Sequence, residues 1–137
     1  AMLSFSNFGG TPHPDAHRVQ KALALAQASR PDLVMDGEMQ ADTAVSAEVQ
    51  ARLFPFNKLG GPANVLIFPE LAAGNTSYKL LDRLGGAKAV GPLLMGLTKP
   101  FNVLQRDADM ENVVNVIAIT VAQAQDMERK KRLNGNS

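Results

Sequence analysis

The chain contains no cysteine, so disulfides, thiolate metal centres and cysteine nucleophiles are all excluded. That usage fits a cytoplasmic protein. Histidine is nearly absent as well: only His13 and His17 occur. They stand at i, i+4 in or just before a helix, with Asp15 on another face. A capping or surface role therefore outweighs a metal site. No apolar run approaches the ~18–20 residues needed to span a bilayer. The opening residues, AMLSFSNFGG, have neither a basic segment nor a long apolar one, so they do not form a signal peptide. Neither sign of charge is in excess: the formal net charge is +1, and bulk electrostatics call for no nucleic acid or other polyanion.

Several catalytic signatures are also missing. There is no GxSxG elbow, and Ser4 and Ser6 have no base held by a third group, which argues against acyl-enzyme chemistry. No GxGxxG follows the first strand; Gly9-Gly10 alone is weak. The phosphate-loop pattern GxxxxGKS/T is absent too.

What is present is an ordinary globular composition, 45% hydrophobic and 20% charged over 137 residues, enough for one core. The pattern predicts a strand at residues 2–6, then a glycine loop. Pro14 and Asp15 open a helix that Pro31 ends. Residues 33–35 form a short, continuously apolar run, predicted as a buried strand leading into Asp36, Gly37 and Glu38. Carboxylates at such a strand end can serve a ligand site or a structural bond. A helix is expected over about 43–53, an aromatic-bearing loop over 54–62, and a buried strand at 65–68.

The stretch that organises the chain follows. Gly74, Asn75, Thr76 and Ser77 are expected to begin a helix that carries Tyr78, Leu81 and Leu84 and stops at Gly85-Gly86. Such a start offers free N–H groups to a phosphate or carboxylate. A further apolar run covers 89–97, and a short one follows Lys99-Pro100. Asp109 caps the last helix, which ends in the basic run 129–132, a solvated terminus; residues 134–137 are expected to be disordered. The predicted order, β-α-β-α-β-α-β-(β)-α, implies a three-layer α/β/α domain over residues 1–133 with a mostly parallel sheet. The cations near the glycine turns are Lys79, Arg83, Lys99 and Arg106. Arg106 can grip a phosphate or carboxylate with two hydrogen bonds, or serve the structure.

The strings MLSFSNFG, DGEMQADTAV, GPANVLIFPELAAGNTSYKLL, VGPLLMGLTKPFNVL and NVVNVIAITVAQAQ resemble the carboxyl-terminal half of the phosphate acetyl- and butyryltransferase family. SNFG after MLSF resembles the version of that domain found in bacterial NADP-dependent malic enzymes. The start in a strand, without methionine at residue 1, suggests a piece of something longer. The resemblance implies an isocitrate/isopropylmalate dehydrogenase-like fold and a homodimer or larger homo-oligomer. The implied ligands are coenzyme A, acetyl-CoA and phosphate, held by Arg106, Lys79, Arg83, Asn75, Thr76, Asn102 and Ser4. No metal is expected here; NADP and a divalent metal would belong to an absent malic domain.

In active family members Lys-Pro-x-Asn is followed by Leu-Ser-Arg, with an aspartate seven residues after the serine. The resemblance places Gln105 at the serine, Arg106 at the arginine and Asn112 at the aspartate. Asparagine has no titratable lone pair near neutral pH, and loss of a general base typically costs ~10²–10⁴-fold. The resemblance thus implies an acetyl-CoA-sensing regulatory and dimerisation domain of a malic enzyme that has lost catalysis. The alternative is an active phosphate acetyltransferase.

Overall fold

A computed structural model describes residues 1–106 and 108–134. It contains β1 (Met2–Leu3), α1 (Pro14–Ser29), β2 (Gly37–Met39), α2 (Ala41–Val45), α3 (Ala47–Leu53), α4 (Leu71–Leu84) and α5 (Met110–Asn134). The chain divides into two compact units, Ala1–Tyr78 and Lys79–Ser137, and the division falls inside α4. The tail expected from residue 134 lies outside the described residues, apart from the backbone of Asn134, which ends α5.

The first unit is mixed α/β with a small parallel sheet. β1 pairs parallel with β2, and Met2 makes an isolated parallel bridge to Ile67. Leu3 N–H donates to Ile67 O at 2.8 Å and Ile67 N–H donates to Ala1 O at 2.9 Å. Between the two paired strands runs α1, which packs on both. Its buried residues are Ala16, Val19 and Leu23, spaced i, i+3, i+7 on one stripe. Leu3, Met39 and Ala44 form the core, ringed by Phe8, Leu59, Ala63, Leu66 and Phe68. Burying a side chain the size of Leu3 or Met39 contributes about 1.5–3 kcal/mol.

Several sequence expectations need correction. The buried strand expected at 65–68 is an isolated bridge at Ile67, with Val65 and Ile67 exposed, and the strand expected at 2–6 ends at Leu3. The second strand lies at 37–39, not 33–35. Leu33 and Val34 are exposed, because Arg30 clamps Asp32 through two hydrogen bonds of 2.8 and 2.6 Å and closes a turn there. The helix expected over 43–53 starts earlier and breaks at Ser46. That residue is extended (φ −114, ψ 110), and its hydroxyl accepts from Val49 N–H at 3.2 Å, capping α3. α4 begins at Leu71 rather than Gly74, so Gly74 to Ser77 lie inside it. Finally, no strand occurs at 89–97 or after Lys99-Pro100. Gly91 (φ 144) and Gly96 (φ 80) adopt conformations foreign to a strand, and Pro92 has no N–H for a ladder.

The second unit consists of the end of α4, an irregular segment and α5. Asp109 caps α5, accepting Asn112 N–H at 2.7 Å. Val116 is its one buried hydrophobic residue among those described.

Candidate functional site

In the first unit the polar chemistry gathers between β1 and α1. The loop after β1 turns back on itself through Phe8 (φ 48) and Gly9 (φ 81). A left-handed pair of this kind aims successive N–H groups inward. Phe8 N–H donates to Glu38 O at 2.7 Å, and Gly9 N–H donates to Glu38 Oε1 at 2.8 Å. Thr11 N–H donates to Ser6 Oγ at 3.1 Å, and Ser6 N–H to Ser4 Oγ at 3.3 Å. Gln40 ties the same loop down, donating to Asn7 Oδ1 and to Phe5 O.

Glu38 is 1% exposed. Burial pushes its carboxyl up, but the Gly9 N–H, the Gln20 amide and the Ser6 hydroxyl outweigh that and hold it below the usual glutamate range. Its second oxygen, Oε2, is buried with no hydrogen-bond partner among the described residues. Buried Asp36 accepts from Gly37 N–H at 3.0 Å and from Lys58 N–H at 2.7 Å, anchoring the 57–59 turn. The carboxylates after the short apolar run thus serve structural bonds.

His13 caps α1, its Nδ1 accepting Asp15 N–H at 3.2 Å, and His17 is exposed on the same helix. Among the described residues no group of three or more His, Cys, Asp or Glu side chains could hold a metal. Phe8, Phe54 and Phe56 form an aromatic cluster with ring centres 4.9–6.1 Å apart, covering the loop rather than framing a pocket. Asn75 and Thr76 are exposed on α4, one turn past its start. Gly74 N–H already bonds Glu70 O at 3.2 Å, so the small polar residues offer no free amide.

In the second unit Lys79 and Arg83 are exposed one turn apart, and Arg83 pairs with Asp82 at 3.7 Å. Asn102 is the best-held polar residue. Its Nδ2 donates to Thr120 Oγ1 at 2.9 Å and to Gln123 Oε1 at 2.8 Å, while its Oδ1 accepts Leu94 N–H at 2.9 Å. It lines an open, mostly apolar cavity of about 310 Å³ with Phe101, Leu104, Ile117 and Val121. Gln105 and Arg106 are exposed, and Arg106 has no hydrogen-bond or ion-pair partner among the described residues. Asn112 Nδ2 reaches Ala89 O at 3.5 Å, and its Oδ1 is buried without a partner among the described residues. Nearby, Lys88 pairs with Glu111.

The family resemblance pointed to Asn102, Arg106 and Asn112, and all three lie in the second unit. Ser4, Asn75 and Thr76 belong to the first. The Gln20 amide beside Glu38 and the Thr120–Gln123 half of the Asn102 clamp went unnoticed in the sequence. Their signal, polar residues on otherwise apolar helical stripes, is too common to single out.

The arrangement is one in which an exposed guanidinium follows a rigid asparagine clamp and precedes a capped helix. The phosphate acetyl/butaryl transferase family model matches residues 1–121, and the chain belongs to that family. It is 47% identical over 125 residues to a phosphate acetyltransferase of Clostridium acetobutylicum, covering 91% of this chain and 38% of that one. To the phosphate acetyltransferase of Bacillus subtilis it is 44% identical over 124 residues, with 90% and 38% covered. Among solved structures, the EutD phosphotransacetylase from Staphylococcus aureus superposes with a TM-score of 0.84 at 46% identity, covering 90% of this chain and 38% of that one. A phosphotransacetylase from Streptococcus pyogenes gives 0.85 at 42%, covering 91% and 38%. The chain therefore spans little more than a third of the length of these relatives. None of the four is a malic enzyme.

Proposed function

We propose that this chain supplies part of a phosphate acetyltransferase site, holding acetyl-CoA and phosphate for acetyl exchange between a thiol sulfur and a phosphate oxygen. The observation that carries the reading is Arg106, an exposed guanidinium with no partner among the described residues, in the Lys99-Pro100-x-Asn102 segment. A planar guanidinium suits a phosphate or the carbonyl oxygen of an acyl group. We assign further ligand contacts within each unit taken by itself: Lys79 and Arg83 in the second, and Asn75, Thr76 and Ser4 in the first. In the forward direction the thiol sulfur forms a bond to the acetyl carbon of acetyl phosphate. The carbon–oxygen bond to phosphate breaks, and the thiol proton needs an acceptor. Asn112 cannot accept it, so binding persists while turnover is slow. The wider three-layer, isocitrate dehydrogenase-like architecture is part of the same proposal, supported by the parallel β1–β2 pairing across α1.

The test uses the polypeptide as its gene encodes it, because the chain spans only 38% of its relatives. Acetyl-CoA binding is followed by calorimetry and coenzyme A release by thiol detection. Arg106→Ala should weaken binding, and the double variant Gln105→Ser, Asn112→Asp should raise turnover by about 10²-fold or more. Brisk turnover in the unaltered protein, or no affinity for acetyl-CoA, would refute the reading.

A second reading keeps the ligand and changes the purpose: an acetyl-CoA-sensing, dimerising module of a cytoplasmic NADP-dependent malic enzyme. Gln105 and Asn112 favour it, since a sensor needs no proton acceptor. Malate- and NADP-dependent activity that responds to acetyl-CoA, without coenzyme A release, would select it over the first.

A further inference from the structure

The loop at residues 6–11 has the backbone of an anion site, and an anion already sits in it. Phe8 and Gly9 are left-handed, and Gly9 N–H points at Glu38 Oε1 from 2.8 Å. The carboxylate belongs to the chain itself. It is 99% buried by the complement of its 1% exposure, and its Oε2 has no partner among the described residues. A charge placed so deeply is costly unless the surrounding dipoles need it. The loop gives a reason. Without the Glu38 side chain, Gly9 N–H would lose the bond that ties the loop to β2, and a charged acceptor makes that bond stronger than a neutral one does. The effect then runs on through hydrogen bonds already described, from Thr11 N–H to Ser6 Oγ and from Ser6 N–H to Ser4 Oγ.

We propose that Glu38 is the built-in anion of this loop, a positioning residue whose carboxylate sets the loop and through it Ser4. Cutting the side chain back opens a space that takes a small free carboxylate. Glu38→Ala removes a methylene and a carboxylate, together the size of acetate. The part concerning Ser4 and its ligand rests on the proposed function; the part concerning the loop does not.

The experiment compares the full chain with Glu38→Gln and Glu38→Ala by thermal unfolding, in sodium acetate and in sodium chloride of equal ionic strength. Amide exchange at Gly9 and Thr11 is followed in parallel. Glu38→Gln keeps the shape and removes the charge; its midpoint should fall by about 4–8 °C, with faster exchange at Gly9. Glu38→Ala should fall further and recover part of the loss in acetate, which leaves the unaltered chain unmoved. A Glu38→Gln protein that melts and exchanges like the original would overturn the proposal. So would a folded Glu38→Ala protein indifferent to acetate. Acetyl-CoA affinity, read below the melting range, should drop several-fold in Glu38→Gln. Equal affinity beside a loosened loop would overturn the link to Ser4. If the unaltered chain itself fails to bind acetyl-CoA, the ligand reading fails, and the loop measurements still decide the role of Glu38.

Discussion

Asn102 spends its whole amide inside the second unit, on Leu94, Thr120 and Gln123. Three hydrogen bonds of about 1 kcal/mol each, on a half-buried side chain, make Asn102→Ala a loss of about 2 kcal/mol. A loss of unfolding free energy in urea below a quarter of that would show the clamp to be idle. Glu38 allows a pH prediction. Its folded pKa is lowered, so its stabilising contribution is complete above the ordinary glutamate value. It disappears as pH falls through the lower folded one. The stability gap between the unaltered chain and Glu38→Gln should therefore be constant at neutral pH and close below about pH 4.3. Midpoints in urea at several acid pH values would check it; a gap that widens with acid has the wrong sign. At this scale the sequence was partly legible. Arg106 stood out as a cation between a predicted strand and a helix start, and Asn112 only through the family resemblance. Glu38 was noticed only as a carboxylate after an apolar run, because its partner Gly9 lies across a loop whose left-handed turn has no strong sequence mark.

Among the elements, the pairing of β1 with β2 depends on a glycine. Gly37 has φ +143, and a Cβ there would stand 2.6 Å from Met2 O. Both the conformation and the contact exclude a side chain, and the blocking atom is backbone that carries the sheet. Gly37→Ala should cost about 3 kcal/mol or more. Far-ultraviolet circular dichroism in urea would measure it, and a loss under 1 kcal/mol would mean that the pairing yields easily. The same glycine explains why sequence reading put the strand four residues too early. Residues 33–35 have the apolar run, but the buried edge goes to 37–39, where glycine admits the close approach and Met39 reaches the core. Helices were easier to see, since Pro14, Pro31, Gly85 and Asp109 mark their ends. Ser46 was the exception: a good cap in mid-pattern splits one expected helix into α2 and α3.

On the scale of the whole chain, burial is distributed unevenly. The buried hydrophobic residues Leu3, Ala16, Val19, Leu23, Met39 and Ala44 all lie in the first unit, against Val116 in the second. The alternation of strands and helices correctly indicated a parallel α/β sheet there. It failed over 89–97 because Gly91 and Gly96, which punctuate that apolar run, take positive-φ conformations that break a strand. That segment has backbone amides with few partners: Ala89 N–H rests on Asp82 Oδ1 and Leu94 N–H on Asn102 Oδ1. Local opening is cheapest where buried apolar contacts and backbone bonds are both sparse. Native-state hydrogen exchange should therefore find residues 85–106 least protected, α5 intermediate, and Leu3 and Met39 slowest. Leu94 should be the protected exception, and Asn102→Ala should release it while leaving Met39 unchanged. Uniform protection across both units would mean that the burial of single side chains does not set local stability in this chain.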